Sequence, residues 1–231
     1  MENSPVSDKK WNALGLLWLF ASLTVWSYAL FVAPSEEHQG NIYRIIYVHV
    51  PSAFAAFFSS LMLCIQSVRS LVNRRESTLN LGRAWAEVGL IFTIITLATG
   101  SIWGKPTWGT WWTWDARLTT TFVLALLFAG YLLLHASIPA GEQRIRTCAV
   151  IGIIIFVDVP IIYKSVSWWR TLHQPPSMMR EGGSTMSSEI LMLILSGIVC
   201  NIIGSSWLAR ARWRNLCLQD ELEQRSFAEL S

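Results

Sequence analysis

An all-α integral membrane protein is the fold class that this sequence predicts, on three observations. Of its 231 residues, 52% are hydrophobic and only 14% are charged. The apolar residues gather in six runs of about 20, the length at which a helix crosses a bilayer. Outside those runs nothing of domain size remains. In lipid every backbone N–H and C=O must be satisfied internally, so such runs are helices packed on helices.

The expected transmembrane helices cover residues 11–33, 45–68, 84–102, 116–137, 145–165 and 189–209 of a single membrane domain, 1–231. The first follows MENSPVSDKKWNALG. Its apolar stretch is long and lacks a prompt small-residue cleavage site, so it reads as a retained helix and not a signal peptide. The second opens on RIIYVHVP, and the third runs into the Trp-rich outer loop, 103–115. Asp115 stands just ahead of the fourth helix, at the position of an N-cap worth about 1 kcal/mol. The fifth carries Asp158 and Pro160 in VDVP. That pair is either a local structural device, since Pro frees a carbonyl, or part of a pocket lining. The third outer loop, 166–188, holds Pro175–Pro176 and Gly182–Gly183, so its second half is expected to be irregular. The C-terminal stretch ARWRNLCLQDELEQRSFAEL reads as a solvated helical end.

Charge sets the expected orientation. Lys9, Lys10, Arg69, Arg74, Arg75, Arg83, Arg144, Arg146, Arg210, Arg212, Arg214 and Arg225 all fall on one side. The other side has half as many: Arg44, Lys105, Arg117, Lys164, Arg170 and Arg180. The positive-inside rule then puts both termini in the cytoplasm and the Trp-rich loop outside. The basic residues form no stripe of the kind nucleic acid requires. The cysteines at 64, 148, 200 and 217 have neither zinc-site nor CxxCH spacing, and none falls in an outer loop.

The run WGKPTWGTWWTWD packs five of the chain's thirteen tryptophans into residues 103–115. Interfacial anchoring accounts for one or two per helix end. Five around Gly104, Gly109 and Pro106, which allow tight turns, suggest an aromatic surface that holds something flat.

Four histidines are candidates for chemistry. His135 closes the fourth helix and reads as interfacial. His38, beside Glu36 and Glu37, reads as solvated. His49 lies about one turn inside the outer end of the second helix, where an ionisable group is costly and is a functional candidate. His173 lies in the third outer loop. Singly, either is accounted for by a structural hydrogen bond. Together, on one side of the membrane and flanking the aromatic run in sequence, two imidazoles make the ligand pair of a six-coordinate haem iron. Indole faces suit the apolar plate, and Arg or Lys suits its propionates. Arg44 and Arg117 sit near outer helix starts, where the helix dipole disfavours a cation. Arg117 either pairs with Asp115 or, like Arg44, Lys105 or Arg170, meets an anionic ligand group. Beyond capping, Asp115 can orient a histidine or a partner's residue.

The segments YRIIYVHVP (43–51), TGSIWGKPTWGTWWTWDARLT (99–119) and SVSWWRTLHQP (165–175) resemble the haem exporter protein C (CcmC) family of cytochrome c maturation. The stretch WGTWWTWD fits the WGxxWxWD signature of haem-handling membrane proteins. The resemblance covers most of residues 40–175, and Asp158 departs from the uncharged polar residue familiar there. It implies that His49 and His173 are the axial ligands of a non-covalent haem b. It also implies that Trp108, Gly109, Trp112, Trp114 and Asp115 form the haem platform.

The implied setting is the bacterial inner membrane, with the haem site facing the periplasm. The implied partners are the haem chaperone CcmE, the small membrane subunit CcmD and the ABC transporter subunits CcmA and CcmB. A binding and presenting module without turnover of its own is the expected function. A cytochrome c haem lyase shares the signature but is usually larger, with additional histidines. A haem permease would need a polar trail through the helix centres, which the sequence does not supply.

Overall fold

The computed structural model describes residues 5–33, 39–174, 178, 184 and 186–230. Those residues form six α-helices and no β-strand. Helix α1 (Pro5–Ser27) runs on into one π-helical turn (Tyr28–Val32), and a 3-10 turn (Asn41–Ile45) leads into α2 (Ile46–Asn73). Helices α3 (Glu76–Trp108), α4 (Ala116–Ser137), α5 (Glu142–Trp168) and α6 (Ser188–Leu230) follow. All six are long and apolar enough to cross a membrane. His38, Pro175–Pro176, Arg180 and Gly182–Gly183 lie outside the described residues.

Several helices extend beyond the runs that hydropathy marks. Apolarity identifies only the part of a helix that lipid covers, whereas backbone hydrogen bonding continues until a residue breaks it. Helix α2 stops where Arg74 turns left-handed at φ 52°. Helix α3 continues through Trp108 and stops at Gly109, whose φ of 79° suits a residue without Cβ. The first part of the Trp-rich run is therefore the end of a helix. The C-terminal stretch continues α6 as one helix.

Short connections at Arg74–Arg75, 109–115 and 138–141 make α2, α3, α4 and α5 antiparallel in turn. Helix α2 is central, packing against α3, α5 and α6, while α4 packs against α3 and α5. Small side chains line its buried face, among them Ser52, Ala55, Ala56, Ser59 and Ser60. Lipid tails are as apolar as leucine, so close van der Waals approach drives helix association in a membrane. Helix α1 packs chiefly on α6. There Trp18 sits over Gly204 and Trp207 over Gly15, each filling the space a Cβ would take. The two indoles stack 5.9 Å apart, and their N–H groups donate to the carbonyls of Cys200 (2.7 Å) and Trp11 (3.1 Å).

Opposite the Trp-rich end, an ion-pair network joins helix ends. Arg144 pairs with Glu76 at 2.9 Å, and Arg83 pairs with Glu87 at 3.1 Å. Arg212 of α6 also binds Glu87, and Arg74 binds Glu142. Further along α6, Trp213 donates to the Ser77 carbonyl at 2.8 Å, and Asn80 donates to Asp220 at 2.6 Å. The C-terminal part of α6 is thus docked on the start of α3. His135 differs from its expected interfacial setting. It is 2% exposed and lies against Tyr131, because α3 and α5 close over this end of α4.

The α1–α6 contact yields a test. Replacing Gly204 with Leu forces a side chain into the Trp18 ring, and overpacking of this kind costs about 1–3 kcal/mol. Thermal unfolding of the purified protein should show a lowered midpoint. The same substitution at Gly130, which faces open space, should leave it unchanged.

Candidate functional site

Helices α2, α3, α4 and α5 enclose a cavity of about 310 Å³ at the Trp-rich end, and the segment after α5 completes it. His49, Trp103, Arg117, Tyr163 and His173 line its upper part. Ala56, Phe57, Thr93 and Leu124 line its lower part, about two helical turns deeper than His49. The cavity is predominantly apolar, with a few convergent polar groups, which is the usual character of a ligand site.

The two histidines reach this cavity from different elements. His49 projects from the second turn of α2, and its Nδ1 lies 3.0 Å from the Thr99 hydroxyl. That hydroxyl donates its proton to the Ile95 carbonyl at 2.7 Å. Thr99 can therefore only accept from the ring, so Nδ1 carries the hydrogen and Nε2 keeps its lone pair. Trp103 packs edge-on against the imidazole at 5.9 Å. Gly100 makes room for it, since a Cβ there would stand 2.9 Å from Cε1.

His173 lies just beyond α5. Its Nδ1 is 2.9 Å from Asp115 Oδ2, and Trp108 packs against the ring at 4.8 Å. Asp115 serves two elements. Its Oδ1 accepts from the Leu118 amide at 2.8 Å and so caps α4. Its Oδ2 accepts from the Thr171 hydroxyl at 2.7 Å and from the Leu172 amide at 3.3 Å, besides holding His173. Burial pushes the carboxyl pKa up. The bonds from Leu118, Thr171 and His173 outweigh that and hold it below its ordinary value, so Asp115 is ionised. Burial lowers the His173 pKa, and Asp115 offsets this only in part. At neutral pH His173 is thus a neutral imidazole that gives Nδ1–H to the carboxylate and keeps a free Nε2 lone pair. A histidine whose other ring nitrogen is held this way is poised as a metal ligand.

Arg117 supplies positive charge. It lines the cavity, and among the described residues its Nε has no partner and its hydrogen bond is a long 3.5 Å contact to the Tyr163 carbonyl. A guanidinium has five donors, so this one has capacity for an anion.

Other basic candidates point elsewhere. Arg44 donates to the Leu30 carbonyl at 3.1 Å and lies outside the cavity lining. Lys105 donates to the Gly109 carbonyl at 3.0 Å, closing the end of α3. Arg170 is exposed.

The tryptophans divide. Trp103 and Trp108 stand beside the histidines. Trp112 packs instead on Trp114 (5.5 Å) and on Phe122 of α4 (6.0 Å). Trp114 is 73% exposed, and Gly109 ends α3 by its left-handed turn. Sequence reasoning did not single out Thr99, Gly100, Trp103 or Thr171 as site residues. The first three lie within TGSIW, where the i, i+4 spacing puts Thr99 and Trp103 on one face.

Fold and site together define a multi-pass membrane protein with a two-histidine pocket at one end of its bundle. Over residues 4–228 the chain matches the family model described as CcmC, heme exporter protein C. It is 37% identical over 209 residues to heme exporter protein C of Escherichia coli, covering 90% of this chain and 84% of that one. With the Bradyrhizobium diazoefficiens protein of the same name it shares 38% over 184 residues, 78% of this chain and 70% of the other. For the Haemophilus influenzae protein the figures are 35% over 214 residues, 89% and 86%. The chain belongs to the heme exporter protein C family.

The double duty of Asp115 sets up a stability test. Asp115→Ala removes the cap, worth about 1 kcal/mol, and also the acceptor of Thr171, Leu172 and His173, so it should cost more than the cap alone. Asp115→Asn keeps one accepting oxygen and should unfold between Asp115→Ala and wild type. Thermal unfolding of the three proteins side by side checks this.

Proposed function

We propose that this protein binds haem b between His49 and His173 and presents it to the periplasmic haem chaperone CcmE during cytochrome c maturation. One observation carries the reading. Two imidazoles face a single apolar cavity, each with Nδ1–H committed to a neighbour and Nε2 free. Haem iron takes two such nitrogens, and the apolar lining suits the porphyrin plate. Arg117, with unfilled donors in the cavity wall, is the residue to pair with a propionate. When bound, haem supplies the iron and the vinyl edge that the partner takes.

The protein's own groups hold, orient and screen. Thr99 and Asp115 fix the ring tautomers, and Trp103 and Trp108 wall the rings. Beyond Gly109, exposed Trp111 and Trp114 offer apolar surface to a periplasmic partner. On this reading the site is at the outer face of the inner membrane, both termini are cytoplasmic, and CcmA, CcmB and CcmD complete the assembly. The excess of basic residues at the opposite end supports that orientation. Presentation, and not permeation, fits a cavity lined at its lower end by Thr93 and Leu124, well short of the Glu76–Arg144 pair at the far end.

Visible spectra of the purified protein test the ligands. The wild type should show a low-spin bis-imidazole spectrum, and His49→Ala and His173→Ala should each lose it. A bis-imidazole spectrum in both variants would overturn the assignment. Arg117→Ala should retain the spectrum type with several-fold less haem. Co-expression with CcmE should put haem on the chaperone; haem found instead on cytochrome thiols would favour the lyase reading.

Orientation has its own test. A cysteine at Trp114, in a background lacking the four native ones, should react with a membrane-impermeant maleimide in intact spheroplasts.

A further inference from the structure

We infer that the two histidines are unequal ligands, with His173 the strong one and His49 the one that lets go first. This rests on the haem-binding reading above and concerns how the site releases what it holds.

The inequality comes from what each Nδ1–H meets. His173 donates to a carboxylate, Asp115, at 2.9 Å, and the Asp115 side chain is only 7% exposed. Water screens that negative charge little. A full charge at the back of an imidazole pushes electron density toward Nε2 and makes it a better donor to a cationic metal. His49 donates to Thr99, a neutral hydroxyl whose own proton goes to the Ile95 carbonyl. A neutral acceptor fixes the ring without strengthening its donor nitrogen to the same degree.

Position works in the same direction. His49 is embedded in α2, held by Thr99 on one side and Gly100 on another. His173 stands in the segment beyond α5, against Trp108, and also borders a second, smaller hollow of about 50 Å³ with Gln39 and Thr107. The stronger donor therefore sits in the segment beyond α5, and the weaker one inside helix α2. If His49 let go first, His173 would keep what the site carries tethered to that segment, outside the helices. The opposite order would leave it held by a helix of the bundle.

Asp115 is a positioning residue in this scheme, and it can be compared with Thr99 by removing each acceptor. Asp115→Asn keeps one oxygen to cap α4 but sets an NH2 group, a donor, where Oδ2 accepted from His173, so a charged acceptor is lost. Thr99→Val removes a neutral acceptor.

The experiment uses the full-length purified protein with its haem, measuring the midpoint potential and the carbon monoxide adduct of the reduced form. Weaker donation to the ferric state raises the potential. Asp115→Asn should shift the ferrous-to-ferric preference about tenfold, about 59 mV for one electron, and Thr99→Val should shift it much less. Carbon monoxide forms one bond to iron as one imidazole bond breaks. The vibrational signature of the wild-type adduct should match that of His49→Gly, in which His173 remains.

A wild-type adduct matching His173→Gly would overturn the inference, as would equal shifts in the two second-residue variants. Should the glycine variants lose haem, the potentials alone decide. Absence of a bis-imidazole spectrum in the wild type would instead sink the haem-binding reading itself. The two failures are thereby distinct.

Discussion

The Asp115 carboxylate is the interaction on which the rest of the site depends. Its two oxygens join the start of α4 to the segment beyond α5, which is far away in sequence. One oxygen accepts from the first turn of α4, and the other gathers Thr171, Leu172 and His173. These bonds, with Trp108 against the His173 ring, seat the segment beyond α5 over the cavity. The carboxylate is tolerated at that depth because both of its oxygens have donors, which answers the cost of burying a charge. Burial keeps the imidazole neutral and the bond to Asp115 holds its Nδ1–H, so a structural cap and a ligand-orienting bond are one object.

Beneath that bond, the bilayer dictates the architecture. Helices in lipid gain little from hydrophobic burial against one another and depend on close fit. Here the fit is made by small residues on α2 and by the reciprocal tryptophan-on-glycine contacts of α1 with α6. Some hydroxyls inside the bundle are satisfied by their own helix. Thr93, Thr96 and Thr99 each return a hydroxyl proton to a carbonyl of their own helix. In Thr99 that local bond has a second consequence, since it decides the tautomer of His49.

How legible this was differs from residue to residue. The six helices were legible because apolar runs of bilayer length leave no alternative fold. His49 and His173 stood out as scarce ionisable residues in costly places. Asp115 was legible as a cap from its position before α4, but its hold on His173 spans 58 residues, and no local pattern encodes that. The tryptophan run read as one surface. The structure divides it at Gly109, where the helix ends, so Trp103 and Trp108 wall the histidines while Trp112 and Trp114 join Phe122 outside the cavity. Arg44 and Arg117 looked equivalent as cations at helix starts. Only packing separates them, one bonded to carbonyls of the π-helical turn after α1 and outside the cavity lining, the other in the cavity wall.

By itself, the sequence determined the class of protein, the number of helices, the asymmetry of charge and the residue types that carry chemistry. Each of these follows from local composition measured against lipid and water. Tertiary structure alone decided which of those residues meet, which nitrogen each histidine keeps free, and which arginine has capacity for an anion. Those outcomes depend on contacts between helices, where a hydrogen-bond partner is set by three-dimensional packing and not by the neighbours in the chain.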